Sequence, residues 1–227
     1  MTPTAFISHL ADYQLAAVFN PYAERCPVHD RADAAKRRRA NLCAFLKAAL
    51  AAGVDTVWIA RDLGYRGGRR TGVPLTDEVH LKHMELLFGG IPFHRATRGP
   101  IVAERTAAIV WRVITQIGRP VMLWNVFPFH PHEPDDPLSN RCHTRAERET
   151  CKPLLMELLE MVQPRQLIAI GRDAQLALAE LGLSAAAVRH PSYGGQAEFI
   201  AGLFRHYGVE PHPRAGKRPS LFEAMEG

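Results

Sequence analysis

Three polar residues in this sequence, Asp62, Asn125 and His190, each follow a short apolar run that predicts a buried β-strand. A carboxylate at such a position can act as a catalytic group. An asparagine offers a donor and an acceptor to the edge of a nucleobase or another amide. A histidine followed by proline is fixed on a rigid turn and can donate to a developing anion. A carboxylate, an amide and an imidazole together predict a functional site if the fold brings the three strand ends together.

Each of the three residues also has a purely structural interpretation. An aspartate beside arginines most often forms an ion-paired loop, and Asp62 lies among four of them. An isolated asparagine at a strand end most often closes a turn, and a lone His-Pro is most often a surface turn. The joint placement at three predicted strand ends favours the functional interpretation.

The elements that must position these residues alternate along the chain. The predicted strands are Val57–Ala60, Val121–Asn125, Leu167–Ile170 and Ala185–Val188. The predicted helices cover Thr4 to Phe19, the segment from Lys36 through Leu50, Glu78 to Phe88, Val102 to Ile117, a segment capped by Thr144 that runs to about Val162, a segment from Asp173 through Leu181, and about Ala197 to Tyr207. This order predicts an α/β fold, a three-layer α/β/α sandwich around a central four-stranded parallel sheet. Right-handed crossovers then place all strand ends along one edge of the sheet.

The domain organisation predicted from the sequence is simple. Residues 1–210 form one domain without an internal repeat or linker, and residues 211–227 form a flexible basic tail. We expect a monomer. The helix expected to begin at the run Lys36 to Arg39 presents a solvated basic face, with DNA contact as the minority interpretation.

Composition favours an anionic partner. The net charge is +5 and the sequence pI is about 9.2, with arginine supplying most of the positive charge. Arginine suits phosphate and base edges, which favours nucleic acid over other anions. No apolar run is as long as a membrane span, and the start of the sequence lacks a signal pattern, so we expect a cytoplasmic protein. The 4 cysteines contain no C-x-x-C pair, which argues against a disulfide framework.

Three motifs lie at the predicted strand ends in a recognisable order. They read WIARDLGYRGGRRTG from residue 58, WNVFP from residue 124 and HPSYGG from residue 190. Together they resemble the uracil-DNA glycosylase superfamily, whose first motif is GQDPY in one family and GEAPG in its iron–sulfur family. The intervening region, with Asn140-Arg141, Cys151-Lys152-Pro153 and Ile168 to Arg172, is similar to that of the iron–sulfur family.

The resemblance implies a DNA repair enzyme of base excision. It would flip uracil out of single- or double-stranded DNA and hydrolyse its N-glycosidic bond, leaving an abasic site. By resemblance Asp62 is the carboxylate that positions water or stabilises the oxocarbenium ion. The positive charge of Arg61 or Arg66 nearby would help to keep it ionised. Asn125 pairs with the uracil edge, and His190 donates to uracil O2. No metal and no organic cofactor is needed.

The resemblance also implies the DNA contacts. Ser192 would hold a phosphate, and the turn at Tyr193 and Gly194 would enter the minor groove. Sequence-independent phosphate contacts would come from four arginines of two loops, Arg66, Arg69, Arg70 and Arg98.

Two positions in this sequence depart from the family motifs, and both affect how the base is expected to be recognised. Gly64 stands where GQDPY has the tyrosine that excludes the methyl group of thymine, so Tyr65 or Phe127 is expected to take that role. Leu75 stands where related sequences have the aromatic residue that stacks on the base.

The cysteine positions of the iron–sulfur family are incompletely matched. Cys151 matches one ligand position, Phe129 falls near another, and the amino-terminal pair reads Cys26-x-x-His29. A cluster held by thiolates needs four suitable ligands, so the sequence predicts no iron–sulfur cluster.

Two other functions stay open at this stage. The altered first motif is compatible with a protein that binds uracil or abasic sites in DNA with little turnover. A metal-dependent hydrolase is the second alternative, because one loop offers imidazole and carboxylate ligands in His130, His132, Glu133, Asp135 and Asp136.

Overall fold

A computed structural model describes residues 1–210 of the chain. The predicted basic tail, residues 211–227, lies outside the described part. In chain order the elements are α1 (Pro3–Asp12), β1 (Val18–Phe19), α2 (Ala34–Ala51), β2 (Thr56–Ala60), α3 (Gly68–Thr71), α4 (Leu81–Leu87), α5 (Arg105–Ile117), β3 (Met122–Asn125), β4 (His130–Pro131), α6 (Arg145–Val162), β5 (Gln166–Ile170), α7 (Arg172–Glu180), β6 (Ala186–Val188) and α8 (Gln196–Tyr207).

The central sheet has four parallel strands in the order β3-β2-β5-β6. Ala60 at the end of β2 lies opposite Asn125 at the end of β3, and Ile170 of β5 lies opposite Val188 of β6. Helices cover both faces, which confirms the predicted three-layer α/β/α fold. The shared direction of the strands brings their carboxyl ends to one edge, as the crossover rule requires.

Helix packing on the sheet follows from apolar spacing. Helix α5 buries Ala107, Val110, Trp111 and Ile114, residues three or four positions apart that share one face. It packs against α8, whereas α1 packs against α2 and α6. Burying each large side chain of this kind contributes about 1.5–3 kcal/mol, so the core fixes the positions of the strand ends. Within residues 1–210, no helix combines the length and apolar character needed to cross a bilayer.

The first predicted helix is shorter than its apolar pattern suggested. Helix α1 ends at Asp12 because Asn20 folds back and its Nδ2 donates to the carbonyls of Leu10 at 2.7 Å and Tyr13 at 3.0 Å. The freed segment becomes β1, which pairs antiparallel with β4 in a separate two-stranded sheet. Pro131 therefore leaves the main sheet, as expected, but joins a second one.

Two predicted helix starts have different outcomes. The capping box at α6 is present, since Thr144 Oγ1 accepts from the Glu147 backbone at 3.2 Å and the Thr144 backbone donates to Glu147 Oε2 at 2.6 Å. The cap of α7 is Gly171, and Asp173 lies in the first turn of the helix. Helix α7 consequently begins directly at the sheet edge.

Candidate active site

A cavity of about 350 Å³ opens at the carboxyl edge of the sheet. Its wall is formed by the ends of β2 and β5, the start of α7 and the loop that follows β6. This volume is at the small end of the range for ligand pockets, about 300–1,000 Å³. The residues of the predicted site that line it are Arg61, Asp62, His190, Ser192 and Tyr193.

Asp62 is held from two sides. Its Oδ2 accepts a hydrogen bond from Arg61 Nε at 2.6 Å, and its Oδ1 contacts Nδ1 of His143. Arg61 also bridges to Asp173, with 2.8 Å between Nη1 and Oδ2. Only 7% of the Asp62 side chain is exposed. These contacts fix the orientation of the carboxyl group at the cavity wall.

His190 is arranged as a neutral hydrogen-bond donor. Its Nδ1 accepts from the Ser192 backbone N–H at 3.2 Å and lies 2.6 Å from Ser192 Oγ. Because Nδ1 is an acceptor, the ring proton is assigned to Nε2. Burial, followed by the charge of Arg61, lowers the pKa of His190 below its usual value, which favours the uncharged ring.

A glycine behind His190 allows the ring to approach the sheet. Gly171 has φ +88°, and a Cβ built on it would lie 3.1 Å from the Cβ of His190. A larger residue there would strain the backbone and press on the histidine. The start of α7 and the loop after β6 can therefore lie side by side.

The turn after His190 projects into solvent. Tyr193 has φ +50°, an unusual value for a residue with a side chain, and is 96% exposed. Gly194 follows with φ +80°, and the backbone N–H of Gly195 closes the turn on the Ser192 carbonyl at 3.1 Å. An aromatic side chain thus stands at the rim of the cavity.

Asn125 is fully buried and has an unusual environment. Neither its Oδ1 nor its Nδ2 has a hydrogen-bond partner within residues 1–210. An unpaired buried polar group costs about 1–3 kcal/mol, so such a group in a folded protein calls for an explanation. Asn125 is not part of the cavity lining, although Ala60, its register partner, is.

Two predicted base-contacting residues lie elsewhere. Phe127 is fully buried, with its ring centroid 5.3 Å from that of His143 and 5.7 Å from that of Phe129. The backbone N–H of Tyr65 donates to Asn140 Oδ1 at 2.9 Å, and its ring lies 6.4 Å from that of His29. Neither side chain lines the cavity. Their expected contact with the base does not match these positions.

The arginines of the glycine-rich loop separate into two groups. Arg66 is exposed, as expected for a phosphate contact. Arg69 and Arg70 are each only 4% exposed, which corrects their assignment to DNA phosphates. Arg69 stacks on Phe19, with its guanidinium carbon 4.1 Å from the ring centroid, and Arg70 pairs with Glu78 at 3.3 Å. Helix α3 turns both side chains inward.

Two residues that the sequence did not single out belong to the site. His143, whose side chain is 5% exposed, contacts Asp62 from behind, and Glu104 lines the cavity directly. His143 directly precedes the capping box at Thr144. That capping box is the feature of the sequence that indicates a fixed backbone position for His143. Glu104 is the residue before α5 and lies outside every predicted strand end.

The donors implied by an iron–sulfur cluster do not fit one. Phe129 packs in an aromatic group, with ring centroids 5.8 Å from Tyr13 and 6.5 Å from Tyr22. Burial, followed by the charge of Glu147, raises the pKa of the Cys151 thiol to about 12, which disfavours a thiolate ligand. Among residues 1–210, no group of three or more His, Cys, Asp or Glu side chains is arranged to hold a metal ion.

One histidine in the loop of the hydrolase alternative, His130, has a structural role. His130 is fully buried, and its ring bridges Ser139 O at 2.8 Å and Arg69 Nη1 at 3.2 Å. Burial is the main cause that lowers the pKa of His130 to about 3. Both ring nitrogens are engaged within the protein, which argues against the metal-dependent hydrolase.

The family of the chain follows from a sequence match. The Uracil DNA glycosylase superfamily matches residues 66–215, more than half of the chain, so the chain belongs to this superfamily. The matched range includes Asn125 and His190, and it begins after Asp62. A glycosylase-type function in DNA repair is the general expectation for such a chain.

A solved structure has a similar fold. The chain resembles wild-type SMUG2 of Pedobacter heparinus with a TM-score of 0.60 and 13% sequence identity, over 92% of this chain and 97% of that one. At this identity the likeness concerns the fold alone. No curated protein matches the sequence.

Proposed function

We propose that this protein is a monofunctional uracil-DNA glycosylase that releases uracil from DNA and leaves an abasic site. The observation that carries the proposal is the pairing of an anchored carboxyl group, Asp62, with a neutral histidine donor, His190, in one cavity. The superfamily match supports the same conclusion. The proposed chemistry needs no metal ion and no organic cofactor.

The proposed reaction begins when the base leaves the helical stack, which costs a few kcal/mol. As the bond from C1′ to uracil N1 breaks, positive charge develops on the sugar and negative charge on uracil. Asp62 stabilises the sugar cation and orients the water molecule that attacks C1′. Nε2–H of His190 donates to uracil O2, a contact worth about 3 kcal/mol when it strengthens in the transition state.

The unpaired amide of Asn125 fits recognition of the base edge. The N3–H and O4 groups of uracil present one donor and one acceptor, which match the Oδ1 and Nδ2 atoms that have no protein partner. Binding of uracil would satisfy both atoms at once. Because Asn125 does not line the cavity, its contact with the base requires the cavity wall to open toward the end of β3.

The proposed DNA interface surrounds the cavity mouth. Tyr193 and Gly194 would enter the minor groove at the site of the flipped base, where the exposed tyrosine ring can fill the gap. Arg66 and Arg172 would supply phosphate contacts, and Ser192 would hold a phosphate beside His190.

Release of uracil from labelled single-stranded and U·G duplex oligonucleotides, followed by alkaline cleavage, tests the proposal. Wild-type protein should produce strand breaks, and Asp62→Asn and His190→Ala should reduce them strongly. His206→Ala, which changes a surface histidine of α8, should retain activity. Tight binding without breaks would instead identify a uracil- or abasic-DNA-binding protein, and neither binding nor breaks would exclude both functions.

A further inference from the structure

Glu104 presents a second carboxyl group to the cavity that holds Asp62 and His190. Its backbone N–H donates to Asp77 Oδ2 at 2.6 Å, which fixes the chain where α5 begins. Within residues 1–210, no protein group forms a hydrogen bond with its carboxyl oxygens. The mechanism proposed above gives this group no role.

The glycine-rich loop makes room for this carboxyl group. A Cβ built on Gly64 would lie 2.5 Å from Glu104 Oε1, and one built on Gly67 would lie 2.9 Å from the carboxyl carbon. Real Cβ atoms do not approach other atoms so closely. A side chain at position 64 would therefore require the flexible side chain of Glu104 to move, and in its present position Glu104 fills the space that such a side chain would use.

The orientation of a flipped pyrimidine follows from the contacts of the proposed function, on which this inference rests. N1 is attached to the sugar, O2 accepts from His190, and the N3–O4 edge faces Asn125. The remaining edge carries C5 and C6. By elimination we assign it to the part of the cavity wall that the contacts above leave unused, which contains Gly64 and Glu104.

We propose that Glu104 determines base selectivity, with its carboxyl group beside C5 of the flipped base, where it rejects a 5-methyl group. With uracil, the space next to C5 can hold water that solvates the carboxyl group. The methyl group of thymine would displace that water and supply no hydrogen bond in return. Removing solvation from a polar group without replacement is unfavourable, and more so when the group is charged.

The charge state of Glu104 adds a second, independent signature. Burial, followed by the negative charge of Asp77, raises the pKa of Glu104 to about 7. The other charged or titratable groups on the cavity wall are Arg61, Asp62, Arg141, Arg172, Asp173, His190 and Tyr193. Since the ionised carboxylate holds water more strongly than the neutral acid, rejection of thymine should increase as the pH rises through neutrality.

The test measures base release from U·G and T·G duplexes and compares the thymine-to-uracil rate ratio. Glu104→Ala should raise this ratio at least tenfold. Glu104→Gln keeps the shape without the charge, so its ratio should stay low and lose its pH dependence. Glu198→Ala, an exposed glutamate of α8, is the matched control and should behave as wild type.

Binding to duplexes that carry 2′-fluoroarabino-uridine or its 5-methyl analogue separates selectivity from turnover, because the fluorine slows bond cleavage. Loss of wild-type discrimination in Glu104→Ala, by rate or by binding, is the expected result. An unchanged ratio in a folded Glu104→Ala, or an unchanged pH dependence in Glu104→Gln, would overturn the role of Glu104 while uracil release by wild type still supports the glycosylase. Selective binding that depends on Glu104 without any release would overturn the glycosylase alone, and absence of both would overturn the two proposals together.

Discussion

The two sides of the candidate active site differ in how their polar groups are satisfied. On one side, Asp62 is held by Arg61 and His143, and Nδ1 of His190 is held by Ser192. On the other side, both polar atoms of the Asn125 amide lack a hydrogen-bond partner among residues 1–210, and for Glu104 the hydrogen bond to a side chain in this part of the chain is made by its backbone N–H and not by its carboxyl group. We call the first set of groups the anchored side and the second set the open side, names that refer to their hydrogen bonding and not to their position.

This difference corresponds to two tasks in catalysis. Groups that stabilise charge in a transition state act best when their orientation is fixed before the substrate arrives. Groups that recognise a base need free donors and acceptors, because a group already paired within the protein gains little from a ligand. The anchored side therefore suits bond cleavage, and the open side suits base recognition.

The largest effect should come from the anchored side. In the proposed mechanism His190→Ala removes the donor to the departing base, and we expect base release to fall by about 10²–10³-fold. Binding of uracil-containing DNA should change little, since this contact strengthens mainly in the transition state. Single-turnover rates and binding measurements on the same duplex separate the two quantities, and equal losses in both would contradict the distinction between the sides.

A substitution of Asn125 should reduce function less than His190→Ala does, and it should leave the stability of the free protein unchanged or increase it. Asn125→Leu has nearly the same shape and removes both unpaired polar atoms, so the free protein should be as stable as wild type or more stable. Binding to uracil-containing DNA should weaken by about 10–100-fold, the usual value of a bidentate base contact. Thermal unfolding and DNA binding measure the two effects.

Asn41 provides a matched control for this substitution. It is 1% exposed, and its amide pairs with Thr71 O at 2.9 Å and with the backbone of His94 at 2.8 Å. Asn41→Leu should destabilise the protein by about 2 kcal/mol or more, because backbone groups lose their partners. If both leucine variants lost stability equally, the amide of Asn125 would not be the unsatisfied group described above.

Substitutions of His143 test whether catalysis depends on the contacts that hold Asp62 on the anchored side. His143→Ala frees Oδ1 of Asp62, and we expect kcat to fall about tenfold with little change in KM, as for a misplaced catalytic group. His143→Asn places an amide donor where Nδ1 was and should restore most of the activity. A fall of kcat that asparagine does not rescue would show that the ring serves packing against Phe127 instead.

The sequence predicts the fold and the anchored side well for a physical reason. Apolar runs followed by a polar residue indicate a buried strand and its end directly, as at Ala60, which precedes Arg61, and at Trp124, which precedes Asn125. Parallel strands then share one edge, which brings Asp62 and His190 to one cavity. The same argument predicts the α6 cap at Thr144, because a capping box is a local pattern.

Other features depend on long-range packing that local patterns do not report. Arg69 and Arg70 belong to a glycine- and arginine-rich segment whose composition is typical of a phosphate-binding loop. Helix α3 nevertheless directs their side chains toward Phe19 and Glu78. The sheet formed by β1 and β4 joins segments more than a hundred residues apart. Glu104 reaches the cavity only because Gly64 and Gly67 leave space for it, and a glycine alone does not reveal what occupies that space.

The last prediction tests the open side through stability alone. The pKa of Glu104 is raised from an ordinary value of 4.5 to about 7, so the folded state binds more protons than the unfolded state between these pH values. Stability from this group is therefore present below about pH 4.5 and is lost as the pH rises through 7. Glu104→Gln lacks this titration, and its stability relative to wild type should increase over that window by up to about 3 kcal/mol. Chemical unfolding of both proteins at pH 5 and pH 8 measures the difference, and a constant difference would mean that burial does not raise the pKa of the Glu104 carboxyl group, which would contradict its assignment to the open side.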